Sequence, residues 1–124
     1  MIKIVLLTGV FFSMLSVVLG AFAAHGIKSK ISTDMMAVFQ TGVQYQFYHA
    51  LALILIGLLM KQMPSSLLIF SAGFIAVGIV FFSGSLYMLA LTGNKVFGPI
   101  TPLGGLFFII GWVLMFVSIV KSEF

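Results

Sequence analysis

The chain has 124 residues, of which 62% are hydrophobic and only 6% charged, and its mean hydropathy is +1.31. Such a composition excludes an ordinary water-soluble globule. The net charge of +4 is six lysines less two acids, and the lysines are scattered near predicted helix ends, with no arginine cluster and no basic patch interleaved with aromatics, which excludes a nucleic-acid surface; the lack of cysteine excludes disulfides, thiolate metal sites and cysteine nucleophiles.

The first apolar run covers residues 4–24, between Lys3 and the polar stretch 28–34. About 20 residues are needed for a helix to cross a ~30 Å hydrocarbon core, so this run is long enough to span. Its start also resembles a secretory signal ending at Ala21-Phe22-Ala23. The run is longer than a usual signal core, however, and carries Gly9, Ser13, Ser16, Gly20 and Ala24 at three- and four-residue spacings that suit close helix packing, so a retained helix is expected.

A second helix is predicted over 34–60, with Ser32, Thr33 or Asp34 as its N-cap and a length of roughly 40 Å. Its purely apolar part is too short to span, which places the spanning portion from about Thr41 onward and carries Gln44, Gln46, Tyr48 and His49 into the membrane. At about 100° per residue, Ala37, Gln40, Thr41, Gln44, Tyr45, Tyr48 and Ala52 share one face, with His49 at its edge and Gln46 pointing elsewhere. A polar face in lipid is expected to turn toward other helices.

The third and fourth spans are predicted over 67–91 and 103–120. Between them, Gly98-Pro99, Thr101-Pro102 and Gly104-Gly105 predict an interruption of helix, read as a surface turn in preference to a shallow re-entrant piece. Trp112 falls near the middle of the fourth run, away from the interfacial belt, and is expected to pack within the bundle or against a neighbour. The reading is a single all-α domain over 1–124, a four-transmembrane-helix bundle. Four spans put Lys3, Lys61 and Lys121 on one side and Lys28, Lys30 and Lys95 on the other, a balance that leaves the positive-inside rule silent.

The same topology gathers polar residues in one leaflet: His25, Gln40, Gln44, Tyr45, Tyr48, His49, Ser83, Ser85, Tyr87, Asn94 and Thr101 form a candidate polar pocket. His25 and His49 differ in depth by about 12 Å, so shared ligation of a haem or metal is strained. Asp34 and Glu123 are the only acids, and neither is placed to orient a histidine beside Ser83 or Ser85. No catalytic residue, metal or cofactor is therefore assigned.

The sequence resembles the "domain of unknown function 423" family of small bacterial membrane proteins, similar to the transmembrane protein 256 group. The resemblance rests on Gly20-Ala21-Phe22-Ala23-Ala24-His25-Gly26, Gln44-Tyr45-Gln46-Phe47-Tyr48-His49-Ala50-Leu51, Phe82-Ser83-Gly84-Ser85-Leu86-Tyr87 with Leu91-Thr92-Gly93, and Gly98-Pro99-Ile100-Thr101-Pro102-Leu103-Gly104-Gly105. Ala23 departs from the glycine common there in relatives. The resemblance implies a multi-pass protein of the bacterial cytoplasmic membrane and no particular activity. The expected role is binding of membrane lipid, a small ligand or a partner membrane protein, with a homo-oligomer as one form of partnership. The alternative is an oligomeric transporter or channel using the Gln/Tyr/His face of the second helix.

Overall fold

Each apolar run becomes one long helix in the computed structural model, which describes residues 1–124. Helix α1 covers Ile2–Phe22, α2 Thr33–Gln62, α3 Ser66–Thr92 and α4 Ile100–Val120, and all four are long and apolar enough to cross a membrane. A hydrocarbon environment explains the uniform choice of helix, because every main-chain polar group must then be satisfied within its own segment.

The ends follow local chemistry. Past α1 the chain continues through a π-helical turn, Ala23–Ile27, so the helical path runs three residues beyond the expected end. The Phe22 ring lies where a Cβ on residue 26 would sit, 2.7 Å away, a space that Gly26 leaves open. Ala23, part of the would-be cleavage motif, is fully buried in a cluster with Ile27, Phe39 and Ala90. Ser32 caps α2 by accepting from the Met35 N–H at 3.1 Å, and Ser65 caps α3 by accepting from Leu67 at 3.2 Å. Gly93 closes α3 in the left-handed region at φ 70°, a conformation costly for a residue with a Cβ.

The Gly/Pro segment departs from expectation in one respect. It is a surface turn, with residues 92–96 exposed and a single 3-10 turn, Lys95–Phe97, capped by the Asn94 side chain on the Val96 N–H. Helix α4 nevertheless begins at Ile100, three residues earlier than expected. Pro99 stands at the N-cap with φ −65°, and Pro102 falls in the first turn, where its missing N–H deprives the helix of nothing. The prolines start this helix; they do not delay it.

The extensive packing is between helices consecutive in sequence, α1 on α2, α2 on α3 and α3 on α4. Small residues set these approaches. A Cβ at Gly9 would come within 2.9 Å of the Ala50 carbonyl on α2, and one at Gly104 within 2.7 Å of the Phe82 Cα on α3. The main apolar core lies toward the chain termini, built from Val5, Leu53, Ile56, Leu68, Ile75, Phe108 and their neighbours. The smaller Ala23 cluster closes the opposite end, and Ser16, Gln46, His49, Ser83 and Ser85 occupy the layer between the two.

Candidate functional site

Helix α2 is the hub of that polar layer. The Gln46 amide reaches both neighbours: its Nε2 donates to the Phe12 carbonyl of α1 at 3.0 Å, and its Oε1 accepts from the Tyr87 hydroxyl of α3 at 2.6 Å. One turn away, Ser83 Oγ donates to the Gly42 carbonyl at 2.7 Å, and the Tyr87 ring fills the space a Cβ on residue 42 would need. These contacts tie three helices together at membrane depth.

His49 ties α2 to α4. Trp112 Nε1 can only donate, and it lies 3.0 Å from His49 Nε2, so that nitrogen is the acceptor. The ring hydrogen is therefore on Nδ1, which donates to the Tyr45 carbonyl at 2.8 Å. The imidazole stacks on Phe108 with centroids 3.6 Å apart and planes 10° from parallel. Both ring nitrogens are engaged and the residue is 6% exposed.

Of the other expected site residues, Ser85 donates to the Phe82 carbonyl at 2.9 Å, which leaves Thr101 Oγ1 as donor in their 2.5 Å contact across α3 and α4. The serine hydrogens thus go to carbonyls, His49 has no free nitrogen, and no serine–histidine pair forms. No buried side-chain nitrogen or oxygen lacks a partner. Asn94 is exposed and caps its turn, and His25 is exposed on the π-helical turn, so neither joins the buried layer.

The orientation of α2 differs from the sequence expectation. Gln44 and Tyr48 are exposed on the outer surface, Tyr45 is partly so, and Gln40 is intermediate, whereas Gln46 is 2% exposed. Of the face predicted for Ala37, Gln40, Thr41, Gln44, Tyr45, Tyr48 and Ala52, the residues Ala37, Gln44, Tyr45 and Tyr48 look away from the bundle, Gln40 and Thr41 lie at its margin, and Ala52 is buried. Packing over the whole helix decides this: Phe39, Gly42, Ala50, Leu53, Ile56 and Gly57 form a longer inward stripe of small and large apolar residues, and Gln46 falls on it. Sequence reasoning missed Gln46 and the Trp112–His49 bond. The small residues Gly42, Ala50 and Gly57 around Gln46 were the signal that could have found the first.

Outside the bundle, a groove of about 280 Å³ runs between α1 and α2, lined by Ser16, Val17, Val43, Gln44, Phe47 and Tyr48. It borders the outward polar stripe along the α1 side.

Trp112 is the only tryptophan and so reports on its own bond. Replacing His49 with leucine should move its fluorescence emission to shorter wavelength and lower stability by about 1 kcal/mol, the scale of one interhelical hydrogen bond in a membrane. An unchanged emission spectrum would show that the indole is not bonded to His49.

Residues 19–105 match the family model described as "Protein of unknown function (DUF423)". The UPF0382 membrane protein SH2409 of Staphylococcus haemolyticus is 45% identical over 120 residues, covering 96% of this chain and 97% of that protein. The UPF0382 membrane protein YwdK of Bacillus subtilis is 43% identical over 120 residues, covering 96% and 98%. The UPF0382 inner membrane protein YgdD of Escherichia coli is 39% identical over 107 residues, covering 86% and 82%. No solved structure matches the chain.

Proposed function

This chain belongs to the DUF423 family, whose members above are named membrane proteins, and from that premise we propose that it is a non-enzymatic accessory protein of the bacterial inner membrane that binds a partner transmembrane helix through the outward stripe of α2. One observation carries the reading. The side-chain hydrogen bonds of α2 involve Ser32, Thr41, Gln46 and His49, which leaves the amides of Gln40 and Gln44 and the hydroxyls of Tyr45 and Tyr48 without partners in the chain.

By the span that begins near Thr41, Gln44 lies about 5 Å and Tyr48 about 10 Å inside the hydrocarbon. An amide there has a strong need for a donor and an acceptor, and acyl chains offer neither. A second helix with polar or small side chains offers both. A proton-coupled transport role would rely on His49, whose imidazole is enclosed between Tyr45, Phe108 and Trp112.

Removing the amide and the hydroxyl together, as Gln44→Leu with Tyr48→Phe, should weaken partner association about 10-fold or more. That corresponds to two or three interhelical bonds of roughly 0.6 kcal/mol or more each. Native mass spectrometry from nanodiscs reads the assembled fraction directly. An assembly unchanged by the double variant, with Leu51→Val as the apolar control, would overturn the reading.

A further inference from the structure

Resting on that reading, we propose that the helix received by the α2 stripe is α2 of a second copy of this chain, running parallel to the first and crossing it near Gln44. The stripe is complementary to itself. Each glutamine amide carries donors and an acceptor, and each tyrosine hydroxyl is both, so a twofold axis pairs Gln44 with Gln44 reciprocally. No charged side chain lies among Ala37, Gln40, Thr41, Gln44 and Tyr48, so nothing on the stripe repels its own image.

Depth selects the parallel arrangement. Gln44 lies nearer the end of α2 at Thr33 than the end at Gln62. Two copies inserted the same way bring their Gln44 side chains to one level. Opposite insertion would set Gln44 against the apolar stretch that includes Leu51 and Leu55, where its amide would again lack a partner.

The spacing fits a helix–helix seam. Gln40, Gln44 and Tyr48 follow the four-residue ridge of a helix, and ridges of that kind pack against each other at about −40 to −50°. Ala37 and Thr41 keep the upper part of the seam small. A twofold axis also places the α1 side of one stripe against the opposite side of the other. The groove lined by Val43, Gln44, Phe47 and Tyr48 then faces the Tyr45 ring of the second copy, which protrudes 39% exposed from the far edge.

The chain contains no cysteine, so single-cysteine variants report contacts cleanly. In native membranes under mild oxidation, Gln44→Cys, Thr41→Cys and Ala37→Cys should form disulfide-linked dimers of this chain, with Val77→Cys on the outer face of α3 giving none. Thr41→Cys and Ala37→Cys keep the Gln44 amide, so they report even if its loss loosens the dimer. Native mass spectrometry of the unmodified chain should show twice the protomer mass, falling about 10-fold in Gln44→Leu.

Homodimer links at Val77→Cys but not along the stripe would overturn the proposal, as would links between Gln44→Cys and Leu55→Cys in mixed copies. Links from the stripe to a different membrane protein would overturn the second copy while leaving the accessory role standing. No link at any stripe position, together with an assembly indifferent to Gln44→Leu, would overturn both.

Discussion

Replacing Gln46 with leucine is expected to lower the unfolding free energy of the bundle by about 2–3 kcal/mol. Leucine fills most of the volume, so the loss is one of hydrogen bonding. The Phe12 carbonyl keeps its bond from Ser16 at 2.8 Å, but the Tyr87 hydroxyl loses its Gln46 acceptor at membrane depth. Tyr87→Phe should cost less, about 1 kcal/mol, because the Gln46 Nε2 bond to Phe12 survives. The double variant should be no worse than Gln46→Leu alone, since phenylalanine removes the orphaned hydroxyl. Reversible unfolding in mixed micelles gives all four corners of this cycle. Additive losses at the two positions would show that the amide and the phenol do not act as a pair.

The second large effect is expected at adjacent glycines that differ sharply. Gly104→Ala should destabilise by about 3 kcal/mol, because the new methyl meets the backbone nitrogen and Cα of Phe82, and backbone cannot move aside as a rotamer does. Helices α3 and α4 would have to separate, straining the Ser71 bond to the Gly111 carbonyl, now 2.6 Å, and the Ser85–Thr101 contact. At Gly105 the nearest atoms to an added Cβ are ring carbons of Phe82 at 3.8 Å, so Gly105→Ala should be neutral or gain up to about 1 kcal/mol of helix propensity. Thermal unfolding of the pair in one detergent checks the contrast. Equal effects would mean that α3 and α4 are not in close backbone contact at this point.

The helices themselves were legible in the sequence because the bilayer imposes a length and a single permissible backbone. Ser32 was among the expected caps, and hydroxyl chemistry at the head of a helix is local enough to read from a few residues. The direction of α2 was not legible. The polar residues Gln40, Gln44 and Tyr48 were correctly grouped on one face, but which face turns inward depends on the summed fit of Gly42, Ala50 and Gly57 against α1 and α3. These three side chains with a local preference were outweighed by a stripe running the length of the helix. Gln46 then took the interior position the others were expected to hold, and its partner atoms, the Phe12 carbonyl and the Tyr87 hydroxyl, lie 34 and 41 residues away in the chain. Trp112 presents the same difficulty, since its acceptor on His49 is 63 residues distant and the two are brought together only once α4 has docked.

Because the extensive packing joins consecutive helices, the order of synthesis is also an order of docking. As each helix leaves the ribosome and enters the bilayer, the surface it packs against is already there: Gly9 awaits α2, Ser83 finds the Gly42 carbonyl, and Gly104 settles on Phe82 last. No helix has to wait in lipid for a distant segment. The His49–Trp112 bond is then a closing latch, forming only after the whole chain has been delivered. A nascent chain truncated before α4 should insert three helices stably yet leave His49 Nε2 without its donor.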